Sequence, residues 1–346
     1  MPSIKEVARR AGVSISTVSH VIRGSKPVSE RLRRRVEQAV RELNYEINPV
    51  ASSLKSKTTH TLGIIIPNIN RIFFPQVIKG IQETCFVKGY NLTFCDTNEQ
   101  LKLEKHFVQM LKNSMVDGII LDSVADEQDT AYFEFLSQLK NRKKIIPVVS
   151  LERQLNGSRV DSIIVDNRLG GELAARHLVE CGCENVAHIS GPDYSCMARA
   201  RLQGFQDELA KKGLKTQVFS GDFSPLSGYQ AIKTQLQQGT TLDGIFAAND
   251  QMAIGALRAL KEEGRRVPEE IKVVGFDNTF VASLASPALT TINVPKHKMG
   301  QTAADLLLRR LENPGQAPIN VELPINLIVR QSTELHGEST WDLYGW

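Results

Sequence analysis

From residue 61 to about residue 335, short apolar runs alternate with longer stretches in which apolar positions recur every three or four residues. TLGIIIP, NLTFCDT, DGIILDS, IIPVVSL, SIIVDN, NVAHISG, TQVFSGD, DGIFAAND and IKVVGFDN are of strand length and predict buried strands. FFPQVIKGIQETCFVKG, LGGELAARHLVECG and DQMAIGALRALKEEG, among the stretches between them, predict helices. Strands that alternate with helices form parallel sheets covered on both faces. About ten such units are too many for one small sheet, so two similar lobes are expected. The change from first to second falls near VDSIIVDN, and TTINVP and LPINLIVR are expected to cross back.

The first sixty residues carry only helical patterns. Ser3-Ile4-Lys5-Glu6 is a capping box, in which the Ser3 hydroxyl and the Glu6 carboxylate serve the orphan amides of a helix start. That helix, IKEVARRA, should stop at Gly12, which tolerates the left-handed conformation. Ser14 can cap a second helix, ISTVSHVI. A third begins near Ser29, with Leu32, Val36, Ala39, Val40 and Leu43 on one face and Arg31, Arg33, Arg34, Arg35 and Arg41 on the other. Two short helices separated by GVS have helix-turn-helix geometry, whose second helix enters the DNA major groove. Its leading residues, Ile15, Ser16, Thr17, Ser19 and His20, would reach base edges, and Val13, Val18, Val21 and Ile22 would face the small core. The competing explanation is a three-helix bundle whose basic face is merely solvated.

Charge sharpens the division. Residues 1–60 hold twelve Lys/Arg against five Asp/Glu, a net +7, whereas the remainder holds 30 against 33, a net −3. A basic head on a faintly acidic body fits a polyanion-binding module joined to a different machine. With 41% hydrophobic and 23% charged residues in 346, the composition is that of a globular chain of two or three domains. No apolar run is long enough to span a membrane, and MPSIKEVARRAGVS has no apolar core of a secretory signal, so a cytoplasmic protein is expected. Five cysteines without a CxxC pair read as reduced thiols; a redox role for Cys181-Gly-Cys183 is the lesser alternative. No dinucleotide-binding, P-loop, GxSxG or HExxH motif is present, and the seven histidines show no ligand spacing. No enzyme, cofactor or metal site is expected.

IKEVARRAGVSISTVSHVI followed by VSERLRRRVEQAVRELNY resembles the DNA-binding headpiece of the LacI/GalR family of transcriptional regulators over about sixty residues. By position, the resemblance implies that Ile15, Ser16 and His20 read bases. Ser14, Thr17, Ser19 and Lys26 would lie near phosphate or the groove edge. NPVASSLKSK matches the family's hinge helix. It is too short to be stable alone, so two copies would pair on DNA through Val50, Ala51 and Leu54. Leu54 would wedge between base pairs of the minor groove and Lys55 would lie beside it.

Residues 61 to about 335 resemble the periplasmic sugar-binding-protein fold: an α/β chain of two doubly wound parallel-sheet lobes behind an all-α headpiece. The expected divisions are headpiece 1–47, hinge 48–60, two-lobed body 61–336 and tail 337–346. Lobe 1 would take about 61–162 and 294–323, and lobe 2 about 163–293 and 324–336. Parallel sheets bind ligands at the carboxyl ends of their strands. Asn68, Asp96, Asp122, Ser123, Glu152, Asn249, Asp250, Asp277 and Asn278 recur there, but such residues also cap helices, the role expected of Asp250. The resemblance picks Phe73, Phe74, Ser195, Met197, Arg201, Phe223, Asn249 and Asp277 as effector wall, with Asp122 beside them. Arg71-Ile72 stands where sugar-binding relatives have Asn-Pro, and Val294 where they often have Gln, which makes the site less polar than a pentose site.

These features together predict a homodimeric repressor that binds a pseudo-palindromic DNA operator under control of a small effector, a sugar or sugar derivative. The alternatives are a regulator answering to a nucleobase, nucleoside or partner protein, a sugar-binding receptor without regulatory role, and a structural DNA-binding protein. A receptor predicts an export signal and no helix-turn-helix. A structural protein has no need of the large body.

Overall fold

The computed structural model describes residues 2–23, 26–45, 58–141 and 144–337. It falls into two compact units, Met1–Thr59 and His60–Trp346.

The small unit holds α1 (Ile4–Ala11), α2 (Ile15–Arg23) and α3 (Glu30–Glu42). The capping box forms: the Ser3 amide donates to Glu6 Oε2 at 2.6 Å and the Glu6 amide donates to Ser3 Oγ at 3.4 Å. Gly12, at φ 60°, ends α1 in the left-handed conformation. The Thr17 amide donates to Ser14 Oγ at 3.1 Å, which caps α2. Ser29 stands at the N-cap of α3 without a side-chain capping bond. Val7, Ala8, Ala11, Val18, Val36 and Ala39 form the buried core, with Val13, Val21, Ile22, Val40 and Leu43 packed against it.

The large unit begins with β1 (Thr61–Ile66), α4 (Phe74–Val87), β2 (Asn91–Asp96), α5 (Leu101–Asn113), β3 (Gly118–Leu121) and α6 (Thr130–Ser137). A two-residue antiparallel pair follows, β4 (Lys140–Asn141) with β5 (Lys144–Ile145). Then come β6 (Val148–Glu152), β7 (Asp161–Val165), α7 (Asn167–Glu180), β8 (Val186–Ser190), α8 (Cys196–Ala210), β9 (Thr216–Ser220), α9 (Pro225–Gln237), β10 (Gly244–Ala247) and α10 (Asp250–Glu262). The chain finishes with β11 (Lys272–Asp277), α11 (Phe280–Leu284), β12 (Thr290–Asn293), α12 (Lys296–Glu312), β13 (Asn320–Leu323) and β14 (Asn326–Ile328).

Two six-stranded sheets result, ordered β13-β7-β6-β3-β1-β2 and β14-β12-β11-β10-β8-β9. The two windings correspond strand for strand. Every pairing in them is parallel except β12 with β14. The lobe change falls within VDSIIVDN, as expected, but three residues beyond the expected edge at about 162. All of β7 stays in the first sheet, because Ser162 to Val165 pair with Asn320 to Leu323 of β13, and the chain crosses only after Val165. Cys85, Cys95 and Cys183 are buried, Cys181 and Cys196 are half-buried, and none is joined to another. Among the described residues no helix is long and apolar enough to cross a membrane.

Three helix pairs on the sheet faces cross at reciprocal glycines. A Cβ on Gly80 would lie 2.2 Å from the His297 carbonyl oxygen of α12, and one on Gly300 would lie 2.0 Å from that of Val77 in α4. Gly171 and Gly204 relate α7 and α8 in the same way, at 2.0 Å from the Arg201 oxygen and 1.9 Å from the Arg168 oxygen. Gly228 and Gly255 do so for α9 and α10, at 2.1 and 1.9 Å. The obstacle in each case is backbone, which cannot swing aside, so only glycine permits these approaches.

Gly204→Ala must therefore push α7 from α8. We expect a loss of about 1–3 kcal/mol, the usual range for overpacking, read as a lower urea midpoint at unchanged slope. An unchanged midpoint would show that the two helices part freely.

Candidate functional site

Among the residues placed at the DNA-facing edge of the small unit, Ser14, Ile15, Ser16 and Lys26 are exposed. Thr17, Ser19 and His20 are half-buried. Ile15 keeps 40% of its surface in solvent although it is a large apolar residue. Ser14 Oγ lies 2.7 Å from Ser16 Oγ and 2.9 Å from Thr17 Oγ1, so three hydroxyls form a connected row at the start of α2. A helix start carries unsatisfied amides and partial positive charge, which favours phosphate there. An exposed apolar side chain beside them suits the methyl group of a thymine. Arg10 pairs with Glu42 at 2.6 Å and braces α1 on α3, while Arg31, Arg33 and Arg41 remain exposed on α3. Leu54 and Lys55 lie outside the described residues.

In the large unit, strand ends from both sheets meet around one narrow cavity. Arg71, Phe73, Phe74, Glu152, Met197, Arg201, Phe223, Asn249, Gln251 and Asp277 line it. A neighbouring recess shares Arg71 and Met197 and adds Asp122, Ser123, Arg153, Tyr194, Ser195 and Cys196. All nine residues chosen as effector wall thus line one or the other. Phe73 and Phe74 touch edge to face, with ring centroids 5.3 Å apart, and both are buried, so they serve core and cavity together.

Arg201 is the centre of the cavity wall. It is buried to 3% exposure. Its Nε donates to Asn167 Oδ1 at 2.8 Å, and its Nη1 donates to the Ala248 carbonyl at 2.5 Å and lies 3.8 Å from Asp277 Oδ1. The guanidinium plane covers Phe276, with Cζ 3.6 Å from the ring centroid. Burial pushes the Asp277 carboxyl up to about 8; Arg201 opposes that push, and Asp250 and Glu152 add to it. Glu152, Phe223 and Asp277 have φ of 60°, 68° and 102°, the left-handed region that favours glycine. Strained backbone of this kind collects at ligand sites.

Asp122 is wholly buried, and its carboxyl lies within hydrogen-bonding reach of that of Glu152, with no other side-chain or backbone partner. Burial and then the neighbouring Glu152 charge hold its carboxyl well above the ordinary range. In the same recess Arg153 has Nε and Nη2 unpartnered, and Arg71 has Nε unpartnered. Buried polar atoms left without partners are rare and each marks a cause. Acceptors and donors side by side suit a ligand whose groups both donate and accept.

Asn249 lines the cavity as expected, but the capping role expected of Asp250 also falls to Asn249. Asn249 caps α10, with Oδ1 accepting from the Met252 amide at 2.8 Å, and its Nδ2 donates to the Phe223 carbonyl at 3.0 Å while it lines the cavity. Asp250 instead accepts from the Thr279 amide at 2.6 Å and the Thr291 hydroxyl at 2.6 Å, tying α10 to the loop after β11 and to β12. Ser195 caps α8, accepting from the Ala198 amide at 3.3 Å, and still faces the recess. Sequence reasoning did not select Arg71, Arg153, Tyr194 or Gln251. Only Arg71 had left a signal, as a departure from the family pattern.

The model for "Bacterial regulatory proteins, lacI family" matches residues 3–48, and that for "Periplasmic binding protein-like domain" matches residues 175–333. The "Ribose operon repressor" of Halalkalibacterium halodurans is 33% identical over 334 residues, 96% of this chain and 98% of its own. The "HTH-type transcriptional repressor PurR" of Proteus mirabilis is 37% identical over 336 residues, covering 96% and 97%. A crystal structure of the Lac repressor dimer bound to operator and the anti-inducer ONPF superposes with a TM-score of 0.85 at 32% identity, covering 96% of this chain and 99% of that one. Relatives matched end to end at such identity leave no other assignment: this chain belongs to the lacI family of bacterial regulatory proteins.

Proposed function

We propose that the protein is a cytoplasmic, homodimeric transcriptional repressor whose operator affinity is set by a polyhydroxylated effector, a sugar or sugar derivative, held at the strand ends of the large unit. The observation that carries the effector class is the recess wall. The buried carboxyl pair of Asp122 and Glu152 lies beside N–H groups of Arg153 and Arg71 that lack partners, and a hydroxyl can serve either kind. The name of the ribose operon repressor agrees with a sugar. A second possibility is a flat nucleobase, which the aromatic faces of Phe73 and Phe223 would accept.

In this proposal residues 1–47 dock on DNA through Ser14, Ile15, Ser16, Thr17, Ser19, His20 and Lys26. Twofold symmetry sets two α2 helices on the halves of a pseudo-palindrome. Residues 48–60 transmit the state of the body to the headpieces, with Leu54 and Lys55 at the minor groove. An effector acts only through its different affinity for two arrangements of the body.

Operator affinity should fall by about 10³-fold or more between 50 and 200 mM salt, because phosphate contacts release counterions. A flat profile in fluorescence anisotropy would remove α2 from the groove. Thermal-shift screening of sugars, sugar phosphates, nucleosides and purines should find a stabilising ligand. Arg201→Lys, which keeps the charge but loses the planar fork, should weaken that ligand by roughly tenfold or more. Undiminished binding would take Arg201 out of the site.

Asp277 also predicts a pH dependence. Its folded carboxyl titrates at about 8, and an unfolded one at about 3.9. Between those values the unfolded chain binds fewer protons than the folded one, so stability falls as pH rises through this window. The drop in urea midpoint from pH 5.5 to 8 should be smaller in Asp277→Asn than in the wild type. Equal drops would mean that Asp277 is already ionised at pH 5.5.

A further inference from the structure

The loop from Asn68 to Phe73, between β1 and α4, is tied across the cavity to the second lobe at both ends. Arg71 Nη2 donates to Glu99 Oε1 at 2.9 Å within its own lobe, and Asn68 Nδ2 donates to the same oxygen at 3.2 Å. The other Glu99 oxygen accepts from the hydroxyl of Tyr194, which precedes α8 in the second lobe. The Arg71 guanidinium also lies over Phe223 of the second lobe, 4.5 Å from the ring centroid. At the far side of the loop the Ile72 amide donates to Gln251 Oε1 at 3.0 Å, and Gln251 Nε2 donates to the Asn70 carbonyl at 3.3 Å.

The Arg71–Glu99 pair is only 12% and 22% exposed at its side chains. Solvent screens it less than the exposed inter-lobe pair of Arg199 with Glu127, 43% exposed on each side. A cation over an aromatic ring is likewise stronger when desolvated. The lobes cannot separate without breaking Tyr194–Glu99, Arg71–Phe223 and both Gln251 bonds. Arg71 is the one residue that takes part in the pair, the ring contact and the cavity wall together.

We propose that Arg71 is the latch of the cleft: through Glu99–Tyr194 and through Phe223 it joins the two lobes, and it sets how readily the cleft opens to admit an effector. This inference rests on the proposal that the effector binds in this cleft. It assigns the Arg71-Ile72 departure a purpose, since the arginine supplies the cross-lobe contact.

The test is hydrogen–deuterium exchange on the full-length wild type, Arg71→Ala and Tyr194→Phe without added ligand. In both variants, peptides over residues 68–74 of the first lobe and over 192–198 and 220–225 of the second should exchange faster by at least about fivefold, the lower end of coupling between sites. Peptides over β3 and β10 should match the wild type. Acceleration confined to 68–74 in Arg71→Ala, or no effect of Tyr194→Phe, would overturn the latch and leave Arg71 a local support of its own loop. Operator binding by the same wild-type preparation separates the two levels, using the duplex that the protein selects from a random library. A wild type that selects no duplex defeats the regulator proposal. A wild type that binds while the variants exchange as it does defeats the latch alone.

Discussion

A guanidinium buried in protein must be surrounded by acceptors, because removing it from water costs several kcal/mol unless its N–H groups are paired. Arg201 meets that demand by gathering parts of the second lobe that are distant in sequence: Asn167 at the start of α7, the Ala248 carbonyl after β10, and Phe276 and Asp277 at the end of β11. The glycine crossing of α7 on α8 supports this. Gly171 packs against the backbone of Arg201 itself, and the start of α7 is thereby brought near enough for Asn167 to accept. The cavity wall is a consequence of satisfying one buried cation.

The same economy appears around it. Asn249 is at once a helix cap, a partner of the Phe223 carbonyl and a lining residue. Asp250, one residue on, fastens α10 to the loop after β11 and to β12, whose end leads the chain back to the first lobe at α12. A change at the cavity wall therefore bears on elements at the crossing between lobes. Two lobes joined by three crossings have the architecture in which two discrete arrangements are accessible, and a ligand that discriminates between them can shift their populations.

Much of this was legible in the sequence, for identifiable reasons. The strands were recognisable because both sheets are covered on two faces, so strands such as β1 and β10 are nearly unbroken apolar runs. The capping box and Gly12 were recognisable because their chemistry is local. What escaped depends on partners far along the chain. The first lobe was ended three residues early because β7 is held by β13, 158 residues later. Arg71 finds Glu99, Tyr194 and Phe223 only in the folded chain. The cap of α10 was assigned to Asp250 instead of Asn249 because both can cap a helix, and a one-residue shift in where α10 begins decides which does. Leu54 and Lys55 lie beyond what the structure describes.

The central claim is that the cavity and the operator site are coupled. Coupling between two binding sites is reciprocal: a ligand that changes operator affinity by some factor must have its own affinity changed by the operator to the same extent. The most direct measurement is calorimetric titration of a cleft ligand into the free protein and into its operator complex, beside the operator affinity with and without ligand. The account predicts that the two ratios agree and differ from one by at least about fivefold. Equal ligand affinity in both titrations would contradict it, leaving a DNA-binding head and a ligand-binding body that share only a chain.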